Sequence, residues 1–102
     1  MVSAFAVVYG YAPERAEERM AGLDEHRAWL TARRQSGRLI EVGRLTGTPE
    51  GLLVLLYESE EEATADLDTD PYWRAGLVAA REITRWEVSW GIVADAARAF
   101  SG

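Results

Sequence analysis

The residues of this sequence that are best suited to acid–base chemistry are a histidine and an aspartate. His26 is the only histidine among the 102 residues, and Asp70 stands in the segment DTDPYWRAG, residues 68–76. An imidazole takes up and releases a proton near neutral pH, so a histidine can act as a general base. In a chain without a cysteine, a phosphate-binding loop or a metal-ligand cluster, these residue types indicate proton-transfer chemistry: isomerisation, a lactone shift, or elimination of HX from an activated substrate.

Both residues also have a purely structural interpretation. Asp70 precedes Pro71, and an aspartate followed by proline is a common N-cap and N1 pair at the start of a helix. If capping were its only role, replacement by asparagine would cost roughly 0 to 1 kcal/mol, because the two residues rank nearly equally as N-caps. His26 borders the apolar stripe of a predicted helix, where a partly buried histidine bonded to backbone or solvent is also common.

Composition excludes several other kinds of chemistry and partner. The chain has no cysteine, and all eleven basic residues are arginine, which excludes disulfides, thiolate chemistry and a Schiff-base lysine. A net charge of −6 repels a phosphate backbone, so we expect no nucleic-acid partner. The longest apolar runs are too short to span a membrane, and the N-terminus does not resemble a signal peptide. We expect a cytoplasmic protein with no membrane association, no metal and no cofactor.

Runs of β-forming residues predict the four strands that position these groups. They are SAFAVVYGY, RLIEVGRL, LLVLLYE and TRWEVSW. Period-2 alternation places Trp86, Val88 and Trp90 on one face of the last strand.

Apolar spacing and capping signals predict the helices. One long helix is expected over about residues 14–36, followed by Gly37 as a left-handed cap, with an apolar stripe formed by Ala16, Met20, Leu23 and Leu30. Ser59 and Glu62 form a capping box at the start of a second helix, over about residues 60–67. A further short helix is expected at PYWRAGL.

The order β-α-β-β-α-β is that of an α+β ferredoxin-like fold, an antiparallel four-stranded sheet with its helices on one face. Strands 1 and 3 are apolar on both faces, although two helices can cover only one. A soluble monomer does not tolerate an exposed apolar sheet of that size. We therefore expect a homodimer that packs sheet on sheet.

The chain is expected to form a single domain, residues 1–102, with its core at about residues 3–91. Residues 92–102 are expected to form a short helix or an arm that packs on the protein's own surface or on the partner's. The apolar residues of this tail repeat at helical spacing: Ile92, Val93, Ala96, Ala97 and Phe100.

The sequence resembles the YCII-like (YciI-related) family over about residues 3–91. The resemblance is carried by a first strand that ends near YG, one histidine in LDEHRAWLTARRQSGRLIEVG, the segment DPYWRAGL, and a last strand with tryptophan. The family fold is the dimeric ferredoxin-like α+β barrel. The chain has Leu23 where the family often has an arginine, and Arg44 where it often has a proline.

The resemblance implies a histidine and aspartate pair beside a cleft between the helices and the sheet, matching His26 and Asp70. A carboxylate bonded to one imidazole nitrogen fixes the tautomer, so that the other nitrogen can accept a proton. His26 would then be the base and Asp70 its orienting partner, with one oxygen for His26 and the other for capping the helix. Residues expected to contact substrate are Arg27, Arg74, Tyr9 and Trp73.

These features predict a cofactor-independent lyase or isomerase that acts on a small cyclic or aromatic-derived enol substrate. One branch of the family is similar to a dehydrochlorinase of chlorinated hydroxylated aromatics. The alternative is a non-catalytic dimer that binds a small molecule or a partner. A third possibility is a relative of the haem-binding proteins, with His26 as axial ligand, or of the cofactor-free monooxygenases, which share the fold.

Overall fold

The computed structural model describes residues 1–100, which form four strands, five helices and one 3-10 turn. In chain order these are β1 (Ser3–Tyr11), the 3-10 turn (Pro13–Arg15), α1 (Ala16–Ala21), α2 (Leu23–Gln35), β2 (Leu39–Leu45), β3 (Glu50–Tyr57), α3 (Glu60–Leu67), α4 (Pro71–Arg74), β4 (Val78–Trp86) and α5 (Ile92–Ala99). The strands form one antiparallel sheet in the order β2-β3-β1-β4. The predicted ferredoxin-like α+β fold is confirmed.

The core lies between the sheet and helices α2–α4, since α1 buries no residue. Alternate residues of β1 face these helices, and Val7 at its centre stands opposite Leu53 of β3 and Ile83 of β4. Successive side chains of a strand point to opposite faces, so the odd-numbered residues of β1 form the floor of the core. Residues that fill it include Phe5, Val7, Tyr9, Trp29, Leu53, Leu55, Tyr57 and Leu67.

The predicted long helix is two helices, α1 and α2, that meet at Gly22. Glycine has a low helix propensity, and at this break the hydroxyl of Tyr72 donates to the backbone carbonyl of Arg19 at 2.9 Å. The predicted stripe is therefore wrong at Ala16 and Met20, which are both exposed, whereas α2 buries His26 and Trp29. None of the helices in residues 1–100 is long and apolar enough to cross a bilayer.

The fourth strand lies earlier in the chain than the prediction placed it. Strand β4 runs over residues 78–86, so Val88 and Trp90 lie beyond it rather than on its face with Trp86. The ladder with β1 explains the shift, because β1 pairs with β4 from Ala4 opposite Trp86 to Tyr11 opposite Val78. Pairing along the whole of β1 outweighs the weak strand propensity of the alanines in β4.

Helix α5 packs on the protein's own sheet, on the face opposite α1–α4. Its buried residue Ala94 lies beside Ala4 and Trp86. The expectation that helices cover one face alone is thus corrected, since α5 covers one end of the other. The rest of that face, here called the open face, presents partly exposed apolar side chains: Val8, Leu45, Leu52 and Trp86.

A polar network joins α2 to α3 and to the sheet. Arg33 donates to both carboxylate oxygens of Asp66, at 2.7 and 3.1 Å, and the hydroxyl of Tyr57 donates to Asp66 at 2.8 Å. The indole of Trp29 donates to Thr69 at 2.8 Å. These bonds fix α2, and therefore its histidine, against the segment that leads to Asp70.

Asp66→Asn is expected to lower stability at neutral pH by about 1–2 kcal/mol, the range for hydrogen bonds to a partly exposed charged group. Burial raises the pKa of Asp66, but the bonds from Arg33 and Tyr57 outweigh it and hold the pKa below its ordinary value. The carboxylate therefore stabilises the fold above about pH 4, and this contribution is lost as the pH falls through the folded-state pKa. Thermal melts between neutral and acid pH should show the wild-type and variant curves converging.

Asp95→Asn is the control, because Asp95 forms an exposed ion pair with Arg98 within α5. We expect little change in stability at any pH for this variant. A pH-independent difference between wild type and Asp66→Asn would contradict the assignment.

Candidate functional site

The Asp70 carboxylate is fully buried, and three neighbouring groups lie within hydrogen-bond distance of its oxygens. It is the N-cap of α4, where its Oδ1 accepts from the backbone N–H of Tyr72 at 3.0 Å. The same oxygen lies 2.9 Å from Nδ1 of His26, and Oδ2 accepts from the hydroxyl of Tyr9 at 2.9 Å. Asp70 thus caps a helix and contacts the histidine, but through one oxygen rather than one for each task.

His26 is held by contacts on its ring face as well as on its edge. The side chain is 6% exposed, and its ring stacks on that of Tyr72 with centroids 3.9 Å apart and planes 7° from parallel. With Nδ1 directed at the Asp70 carboxylate, the proton of a neutral imidazole belongs on Nδ1, which leaves Nε2 as an acceptor. The tautomer needed for a general base follows from this contact.

Nε2 is the ring nitrogen of His26 that Asp70 does not contact. It has no hydrogen-bond partner within residues 1–100. If Nε2 were completely buried, it would be a buried nitrogen without a hydrogen-bond partner. Within residues 1–100 the only such side-chain nitrogen or oxygen is Nη1 of Arg81, so Nε2 is not sealed from solvent. The basic nitrogen is therefore open to a ligand.

A cavity of about 530 Å³ adjoins His26 between the helices and the sheet, as the family resemblance implies. Its wall combines the aromatic side chains of Tyr11 and Tyr72 with apolar residues of α2 and β2, namely Leu23, Leu30 and Val42. Arginines from α1, α2 and β2 also line it: Arg19, Arg27 and Arg44. This volume is in the range of small-molecule sites.

The structure brings together four of the six residues predicted for the site. His26 and Arg27 line the cavity, Asp70 lies directly behind His26, and the fully buried Tyr9 is bonded to Asp70 rather than exposed to the cavity. The other two lie elsewhere: Arg74 is exposed on α4, and Trp73 stacks on Arg81.

Tyr9 contributes through Asp70 rather than by contact with a ligand. Burial, together with the neighbouring Asp70 carboxylate, raises the pKa of the Tyr9 hydroxyl far above its ordinary value. The hydroxyl stays protonated and donates to Oδ2 at 2.9 Å. Tyr9 is therefore a positioning residue for the carboxylate that contacts His26.

Among the aromatic and charged residues that line the cavity, sequence reasoning missed four: Tyr11, Tyr72, Arg19 and Arg44. Arg19 stands seven residues before His26, a spacing that returns to nearly the same side of a helix after two turns. Tyr72 follows Asp70 by two residues, within the first turn of α4. The position of Arg44 depends on the pairing of β2 with β3, for which the sequence carried no signal that we identified.

The family model described as "YCII-related domain" matches residues 4–87 of this chain. The matched range runs from β1 through β4 and includes both His26 and Asp70. No curated protein matches the chain at a significant level.

Several solved structures have a similar fold. A 5-chloro-2-hydroxyhydroquinone dehydrochlorinase from Burkholderia phenoliruptrix, in complex with 2,5-dihydroxybenzoquinone, has a TM-score of 0.75 at 22% identity, covering 84% of this chain and 95% of its own. A putative antibiotic biosynthesis monooxygenase from Nitrosomonas europaea has a TM-score of 0.55 at 18% identity, covering 88% and 94%. A NIPSNAP domain protein from Burkholderia xenovorans has a TM-score of 0.54 at 17% identity, covering 87% and 95%. At these identities the likeness is one of fold.

Proposed function

The chain belongs to the YCII-related domain family, and from this premise we propose that it is a cofactor-independent lyase or isomerase of a small cyclic or enol substrate. The observation that carries the proposal is the contact between His26 and Asp70. It leaves Nε2 accessible beside a cavity large enough for a small ring compound. The similar dehydrochlorinase supports the elimination form of this chemistry, because its name describes the loss of HCl.

In the proposed reaction, Nε2 of His26 removes a proton from an acidic C–H of the substrate. The electrons of the broken C–H bond form a new double bond, and the imidazole becomes an imidazolium. In an isomerisation the electron pair of the adjacent double bond shifts to another carbon, and the imidazolium returns the proton there. In an elimination the leaving group departs with its bonding pair and the proton passes to solvent. The Asp70 carboxylate stabilises the positive ring during this step.

Proton exchange at carbon tests this function without knowledge of the natural substrate. We expect the protein in D2O to incorporate deuterium into, or release chloride from, at least one member of a panel of chlorohydroquinones and unsaturated lactones. NMR spectroscopy follows both outcomes. Binding of panel members with no exchange and no elimination would instead support the alternative, a non-catalytic small-molecule-binding dimer.

We propose that the protein is a homodimer joined through the open face. Its partly exposed apolar residues form a surface that monomeric soluble proteins seldom leave in water. Leu52→Glu places a charge in this face and is expected to convert the dimer to a monomer in sedimentation velocity runs at micromolar concentration.

Ala65→Glu, on the exposed surface of α3, makes the same change in charge on the other side of the sheet and should leave the dimer intact. A wild-type protein that sediments as a monomer would refute the dimer. So would a Leu52→Glu variant that folds and remains dimeric.

A further inference from the structure

The cavity beside His26 is lined by arginines whose side chains have no ion-pair or hydrogen-bond partner in the described part of the chain. Five arginines form ion pairs within residues 1–100: Arg15, Arg33, Arg38, Arg81 and Arg98. Across the same residues, Arg19, Arg27 and Arg44 form no ion pair and donate no side-chain hydrogen bond. Each guanidinium carries five N–H donors, so many N–H groups that bond to no protein acceptor within residues 1–100 lie around this one cavity.

The contacts of Arg19 leave its N–H donors available beside the cavity, and Arg27 and Arg44 are exposed at its rim. The guanidinium of Arg19 lies over the ring of Tyr11, 4.7 Å from its centroid, a stacking contact that orients the group without using its N–H edge. Burial and the Asp70 carboxylate raise the pKa of Tyr11, and the positive charges of Arg19 and Arg44 oppose this rise. Both arginines are thus close enough to the aromatic wall to act on the same bound molecule.

The charge of this wall contrasts with that of the whole protein. The chain has a net charge of −6, yet no carboxylate lines the cavity among residues 1–100, and Asp70, which contacts His26, is buried behind it. Three positively charged guanidinium groups around one cavity raise the local concentration of anions and repel cations. Arg19, Arg27 and Arg44 come from three different elements, α1, α2 and β2. Their clustering at one cavity is therefore not a consequence of spacing along a single solvent-exposed helix.

We propose that the substrate of this site is a small ring compound that carries a carboxylate in addition to its acidic C–H. This inference rests on the proposed function, because it names the substrate class of the same site. The guanidinium groups hold the carboxylate, to which their paired N–H donors are matched. The ring packs on the apolar wall of Leu23, Leu30 and Val42, and its reactive carbon lies within reach of His26.

Binding of simple aromatic probes tests the proposal independently of turnover. We expect benzoate to bind in the cavity, with benzamide, its uncharged analogue, at least about tenfold weaker. Arg19→Gln and Arg44→Gln are each expected to weaken benzoate binding by about fivefold, the effect of one partly exposed charge contact. Titrations followed by NMR shifts of the His26 ring measure all of these constants.

Arg34→Gln is the matched control, because Arg34 is exposed on α2 outside the cavity and also has no ion pair within residues 1–100. Its affinity for benzoate should equal that of the wild type. Equal binding of benzoate and benzamide would overturn the proposal, as would no shift with either probe up to about 20 mM, or arginine variants that fold and bind as the wild type does.

The proposal and the function on which it rests fail in different measurements. Turnover of an uncharged substrate, with a KM unchanged in Arg19→Gln and Arg44→Gln, would remove the carboxylate requirement and leave the lyase or isomerase function standing. Arginine-dependent binding of benzoate without any His26-dependent chemistry would do the reverse.

Discussion

His26→Asn is expected to lower kcat/KM by about 10²- to 10⁴-fold, the usual contribution of a general base. The amide nitrogen of asparagine stands as far along the side chain as Nδ1 of the imidazole and can still donate to Oδ1 of Asp70. The cavity and the fold should therefore persist. It has no basic nitrogen to accept a proton from carbon. Deuterium incorporation should fall with turnover, while the circular dichroism spectrum and the binding of benzoate, followed for this variant by the NMR signals of benzoate itself, remain close to those of the wild type.

Thr31→Asn provides the matched control for this variant. Thr31 is exposed on α2, the same helix as His26, and does not line the cavity. This substitution should leave the rate unchanged. If His26→Asn turns over the substrate at the wild-type rate, the catalytic role of the histidine is wrong.

Asp70→Asn is expected to reduce both activity and stability. The amide cannot stabilise the imidazolium as a carboxylate does, so kcat should fall by about 10²- to 10⁴-fold. Asparagine is also a good N-cap, which limits the loss at α4. However, an asparagine that keeps its oxygen toward His26 directs its NH2 group at Tyr9, whose buried O–H then loses its acceptor.

The expected cost of that lost hydrogen bond is about 1–3 kcal/mol, larger than the capping role alone predicts. Ser59→Ala is the control for capping, because Ser59 accepts from the N–H of Glu62 at 3.0 Å and lies outside the cavity. It should cost about 1 kcal/mol and leave the rate unchanged. Denaturant titration of both variants measures the difference; an Asp70→Asn variant as stable as wild type would show that the bond from Tyr9 contributes little.

The sequence predicted those parts of the fold that depend on local signals. The capping box at Ser59 and the left-handed Gly37, with φ of 83°, are both present. The register of β4 was not predicted, because it depends on pairing along the distant strand β1. The break at Gly22 has a local basis in the low helix propensity of glycine, which the apolar spacing obscured, and it is accompanied by a hydrogen bond from Tyr72, fifty residues further along the chain.

The same division applies to the site. His26 and Asp70 were identified by residue type and by resemblance. The structure places Nδ1 of His26 2.9 Å from Oδ1 of Asp70. Tyr9 was expected at the substrate, but the alternation of β1 turns it into the core. Arg44 was not identified as a site residue because only the pairing of β2 with β3 brings it to the cavity.

The two tasks of Asp70 affect how related sequences should be interpreted. Because its carboxylate caps α4 and accepts a hydrogen bond from the buried hydroxyl of Tyr9, a descendant that has lost the proposed chemistry still gains stability from the aspartate. His26 has fewer structural obligations, with one hydrogen bond and one stacked ring. In a genome survey, we expect the aspartate to mark the domain and the histidine to distinguish active members from inactive ones.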